Sequence, residues 1–265
     1  MSLLVAIQPG GFKPPMFCIP GAGGSVLSYR HLAHHLGPYQ PFYGLQIPKL
    51  DEKLADRVTV EDMAADYIKE ILNLQPQDYI KEILTLQPQG PYLLGGHCLG
   101  GLVAFEMAQQ LHAQGQKVSL LALFDTFITS SVKQLSFRER LSRHFGNLLQ
   151  RRTYVLEIAK KRISSLKKVP DVEPTYAAYM AYEQIFRKYR PQFYPGRVVV
   201  FRASNLDKLV ESWKKIDPQF GWSDLVGRGL ETYVVPGDLN HIFKEPEVQF
   251  LAEHLRVEIN YFTRC

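Results

Sequence analysis

Cysteine is scarce in this chain, with Cys18, Cys98 and Cys265 the only three among 265 residues. So few cysteines build no disulfide framework and suit a reducing compartment, so a cytoplasmic protein is expected. Long apolar runs are missing as well. None approaches the roughly 20 residues that span a bilayer. Residues 1–7 carry no basic flank and meet Pro9-Gly10-Gly11 too soon for a signal peptide, so no membrane association is expected. Metal-ligand spacing is also lacking. His31, His34 and His35 lie close together but without acidic or thiol companions, which points to surface or cap roles and no metal. What is present, 46% hydrophobic and 22% charged residues, is ordinary for a folded globular chain, and the length suits one domain over 1–265.

The net charge of +5 is unevenly spread. Residues 133–168 hold eleven Lys/Arg against Glu139 and Glu157, a local +9, so the rest of the chain totals −4. No nucleic-acid-binding motif accompanies this segment, and nucleic acid is not an expected partner. A solvated helical face or a docking surface for an acidic, phosphate-bearing partner both fit the charge.

Short apolar runs rich in β-branched and aromatic residues predict strands at 16–19, 41–46, 92–95, 118–124, 197–202 and 231–235. Helical patterns at 60–74, 99–114 and 248–262 alternate with them, predicting an α/β fold with a mainly parallel sheet covered on both faces. Ligands in such sheets bind at the carboxyl ends of the strands. Residues 130–189 break the rhythm: they contain no strand-like run and read as a helical lid insertion or, failing that, as crossover helices. A second irregularity is a tandem duplication, DYIKEILNLQPQ at 66–77 followed by DYIKEILTLQPQ at 78–89. Two copies are too few for a solenoid. A helix, a break near Pro76 and a second short helix are expected there, without a catalytic role.

Chemistry concentrates in Tyr92-Leu93-Leu94-Gly95-Gly96-His97-Cys98-Leu99-Gly100-Gly101. A buried strand enters Gly96-x-Cys98-x-Gly100 and leaves as a helix, the form of the nucleophile elbow of α/β-hydrolases with Cys in the serine position. The helix N-terminus should favour a Cys98 thiolate, and the Leu99 N–H is placed to hold an oxyanion. Of eight histidines, His241 follows the last predicted strand and precedes the last helix, where a base can reach over the sheet top. Asp125, at the end of a strand, and Asp207, inside a polar loop, both qualify as the acid that orients it, with Asp125 favoured. The Gly21-Ala22-Gly23-Gly24 loop after the early strand offers the Ala22 N–H as a second oxyanion donor. It is not a dinucleotide fingerprint, since Val26 occupies the third glycine position and no acidic residue stands about 20 positions on. Trp222 is either a pocket wall or a core or surface aromatic.

Together these segments, Phe17-x-Ile19-Pro20-Gly21-x-Gly23-Gly24, then Gln87-Pro88-x-Gly90-Pro91-Tyr92-x-Leu94-Gly95-Gly96-His97-Cys98-x-Gly100-Gly101, then Leu123-x-Asp125 and Gly237-x-x-x-His241, resemble the thioesterase domains that end nonribosomal peptide and polyketide synthetases. That family usually has Ser where this chain has Cys98. The resemblance implies a triad of Cys98, Asp125 and His241 with Ala22 and Leu99 lining the oxyanion hole. It implies no bound cofactor. The substrate would be a small-molecule acyl or peptidyl chain, delivered as a thioester on the phosphopantetheine of an acyl or peptidyl carrier protein. Competing expectations are a stand-alone editing thioesterase, a carboxylic ester hydrolase, and a non-catalytic α/β-hydrolase used as a ligand receptor.

Overall fold

The computed structural model describes residues 3–22, 24–47, 58–72, 90–128, 132–134, 182, 184–205, 214–227, 229–238 and 241–263. Its main sheet has seven strands: β1 (Leu4–Gln8), β2 (Met16–Ile19), β3 (Phe42–Leu45), β4 (Tyr92–His97), β5 (Val118–Phe124), β7 (Val198–Asn205) and β9 (Leu230–Asp238). They lie in the order β1-β3-β2-β4-β5-β7-β9, and every neighbouring pair is parallel except β1 with β3. Helices among the described residues include α1 (Arg30–Leu36), α2 (Val60–Leu72), α3 (Leu99–Ala113) and α4 (Glu247–Thr263). This is the expected α/β fold.

The period of two along each strand divides the core into two layers. On β5, Leu121 and Leu123 join the layer beneath α2 and α3, while Leu120, Ala122 and Phe124 join the one beneath α1 and α4. Along β7, Val198 and Val200 go one way, and Val199, Phe201 and Ala203 the other. Strands buried on both faces must be apolar throughout, which is why these runs show no polar alternation. Helix α2 starts at a reciprocal cap: Asp62 N–H donates to Thr59 Oγ1 (3.0 Å) and Thr59 N–H to Asp62 Oδ2 (3.2 Å). Its Met63, Tyr67, Ile68 and Ile71 then fall on one buried face.

Two expectations need correction. The stretch from 130 to 189 does contain a strand, β6 (Val132–Gln134), which pairs antiparallel with β8 (Lys214–Ile216). Three residues of mixed polarity carry no apolar signal, so periodicity passes over them. Trp222 is no pocket wall. It is fully buried, its ring centroid lies 4.6 Å from that of Phe105, and its indole N–H donates to the Thr126 carbonyl at 2.8 Å. Most of the expected lid, the second repeat copy and Asp207 lie outside the described residues. Among the described residues, no helix is long and apolar enough to cross a membrane.

Because Trp222 fixes the carbonyl next to Asp125, Trp222→Phe should cost about 1–2 kcal/mol of stability by orphaning a buried acceptor. Trp222→Ala should cost about 3–5 kcal/mol. Urea unfolding of the three proteins checks both values.

Candidate active site

The carboxyl ends of β4, β5, β7 and β9 gather the chemistry. Cys98 follows β4 with φ 52° and ψ −118°, a strained conformation for a residue with a side chain. Two close approaches make the bend possible. A Cβ on Gly96 would strike the Gly100 carbonyl, and one on Gly100 would strike the carbonyls of Ile19 and Pro20. The first turn of α3 therefore sits directly against the loop after β2. A Cβ built on Gly21 would lie 3.6 Å from that of Cys98, so the loop bearing Ala22 borders Cys98.

The sheet ladder continues one step past the strands. Cys98 N–H donates to the Phe124 carbonyl and Asp125 N–H to the Phe201 carbonyl, both at 2.8 Å, so Cys98 and Asp125 stand on adjacent strand ends. Asp125 is buried, with φ 43°. Its Oδ1 accepts the Ala203 N–H at 2.7 Å, while Oδ2, also buried, has no hydrogen-bond partner among the described residues.

Burial dominates the electrostatics. It pushes the Asp125 carboxyl up to about 6, against the opposing pull of the Ala203 N–H and the Arg202 charge, and the charge of Asp238 pushes the same way as burial. Burial also pushes the Cys98 thiol up to about 11; the Leu99 N–H opposes this and the Asp125 charge reinforces it. The expected helix-favoured thiolate is thus corrected: desolvation of the anion outweighs what the end of α3 supplies. Raised this far, the thiol keeps its proton at neutral pH.

His241 is in the loop after β9, ahead of α4, and exposed. Its described partner is not Asp125. Nδ1 lies 2.7 Å from Oδ1 of Asp238, the last residue of β9. Sequence reasoning overlooked Asp238 as a partner, although its position three residues before His241 was the available signal. The neighbouring ring of His97 is turned edge-on to Phe243, with centroids 5.1 Å apart. His35, at the far end of α1, bonds Glu245 at 2.5 Å.

A family model described as a thioesterase domain matches residues 14–79 and 77–257. The chain belongs to the thioesterase domain family. The two matched stretches overlap at residues 77–79, inside the duplicated segment. Among curated relatives, the thioesterase domain here is 40% identical over 127 residues to a dimodular nonribosomal peptide synthase of Bacillus subtilis (strain 168), covering 48% of this chain and 5% of that protein. It is 27% identical over 290 residues to chondramide synthase of Chondromyces crocatus, covering 98% of this chain and 7% of that one. This chain therefore corresponds to a small part of the synthetases it resembles. Among solved structures, a four-domain nonribosomal peptide synthetase bound to AMP and glycine aligns with a TM-score of 0.66 at 25% identity, over 96% of this chain and 20% of that one. The NocB thioesterase domain, in covalent complex with a fluorophosphonate nocardicin G analogue, aligns at 0.65 and 24% identity, over 97% and 99% of the two chains, and so shares the fold.

The raised Asp125 carboxyl has a sign that stability measurements can read. The folded state holds this proton more tightly than the unfolded chain, whose value is near 3.8. Its contribution is fully present below about pH 4 and lost as pH rises through about 6. The stability difference between Asp125→Asn and wild type should therefore move by about 2–3 kcal/mol in the variant's favour between pH 4 and pH 7. Urea unfolding at the two pH values measures it.

Proposed function

We propose that this domain releases an acyl or peptidyl chain from the phosphopantetheine thioester of a carrier protein through an acyl-enzyme on Cys98. The observation that carries this reading is the strained, glycine-flanked bend that holds a thiol at the mouth of α3 in a thioesterase-family chain. His241 takes the Cys98 proton as sulfur attacks the thioester carbonyl. The oxyanion is held by the N–H groups of Leu99 and Ala22. When the tetrahedral intermediate collapses, the carrier's C–S bond breaks and the proton passes from His241 to the departing thiolate. Water, or a hydroxyl or amine of the chain itself, then attacks the Cys98 thioester, with His241 again accepting the proton; the bond between Cys98 sulfur and the acyl carbon breaks, and His241 returns the proton to the Cys98 thiolate. Asp125 stabilises the imidazolium in both half-reactions.

No cofactor enters these steps, because the thioester is already activated. Loading exchanges one thioester for another and is close to energy-neutral, whereas a serine would lower the intermediate to an ester. Cys98 thus keeps the acyl group reactive toward a weak or internal nucleophile. The partner is a carrier protein of a parent synthetase, as the relatives suggest. The +9 segment at 133–168 supplies charge that would attract the carrier's phosphate and acidic face.

Cys98→Ala should lower thioester turnover by at least about 10³-fold. Cys98→Ser should load but shift the partition between cyclised or aminolysed product and hydrolysed product toward hydrolysis. Chromatographic product ratios from one acyl-thioester substrate check this, and an unchanged ratio would remove the argument from thioester energy.

A further inference from the structure

The proposed base stands on one carboxylate while another, deeper in the site, is left half-satisfied. His241 Nδ1 is 2.7 Å from Asp238 Oδ1, with both side chains about half exposed (51% and 47%). Asp125 Oδ2 is buried and has no hydrogen-bond partner among the described residues, although Oδ1 is tied to Ala203. Buried acceptors are rarely left this way, so Asp125 Oδ2 is open to a donor from a nearby side chain. The topology brings both acids to nearby strand ends: Asp125 follows β5 and Asp238 ends β9, with only β7 between them, and the Asp238 charge acts on the Asp125 carboxyl. An imidazole has a single Nδ1 proton. It can be donated to Asp238 or to Asp125, not to both.

We propose that Asp238 is a positioning residue that competes with Asp125 for His241 and holds the base in a withdrawn place until substrate arrives. This rests on the reading of His241 as the base. In the withdrawn arrangement, the imidazole is paired at the exposed rim of the sheet, and the Cys98 thiol, raised by burial, keeps its proton. Handing His241 to Asp125 gives Oδ2 a donor and turns Nε2 toward the sulfur. An acyl-enzyme surface that excluded water from the rim would favour that transfer, because the Asp238 pair is half-solvated and easily given up. The mutual repulsion of the Asp125 and Asp238 carboxylates gives the cation formed during attack a reason to settle near both.

The test reads the nucleophile in the absence of substrate. Iodoacetamide alkylates a thiol only as thiolate, so the rate at Cys98, followed by peptide mapping to separate it from Cys18 and Cys265, reports whether a base attends the sulfur. Asp238→Ala should raise that rate at pH 7 by about tenfold, and Asp238→Asn, which keeps an acceptor, by less. Adding His241→Ala to Asp238→Ala should return the rate to the wild-type value. An unchanged or slower rate in Asp238→Ala overturns the proposal, as does an increase that survives loss of His241. The reading beneath it fails separately: that outcome is thioester turnover unaffected by His241→Ala in the wild-type background.

Discussion

The site depends on one close contact, the first turn of α3 pressed against the loop after β2. Gly96 and Gly100 permit it, because any side chain there would meet a backbone carbonyl. The consequence is the unusual backbone of Cys98, which lifts a thiol off the end of a buried strand and places it beside the loop of Ala22. Strain of this kind costs of the order of 1–3 kcal/mol. The two-layer core offsets it, fixing β4 between β2 and β5 and covering α3 with α2 and the aromatic group of Phe105, Tyr194 and Trp222.

From that contact the electrostatic character follows. Holding the thiol and the Asp125 carboxyl beside the protein interior makes both reluctant to ionise. A buried thiol is a poor nucleophile while protonated, and a buried carboxylate is costly while unpaired. One imidazole relieves both when it stands between them: it accepts the thiol proton, and its cation pairs with the acid. The same desolvation that suppresses the free thiol strengthens every charge interaction once the imidazolium forms.

How far the sequence disclosed this depends on what each element is made of. Strands buried on both faces betray themselves as apolar runs, and the run at 118–124 matches β5 residue for residue. The run at 231–235 extends in the structure to Leu230–Asp238, because Leu230 and Asp238 continue the pairing with β7, the latter across a register shift, without needing an apolar side chain. Strand β1 was missed for a related reason. It is an edge strand, only half-buried, and pairs antiparallel with β3 by backbone alone. The bend at Cys98 was legible because glycine spacing encodes a steric demand. The thiol's ionisation was not, since a helix N-terminus is visible in sequence and the depth of burial that opposes it is not. Asp238 carries no such signal, because an orienting acid is expected on a distant strand end while its pairing with His241 is local.

Intact-mass analysis followed by peptide mapping tests covalent chemistry at the Cys98 sulfur most directly. After incubation with an excess of a slowly released acyl thioester, a single added acyl group per chain is expected, carried by the peptide that contains Cys98. An unmodified chain during active turnover, or an acyl group carried on any other residue, would contradict it.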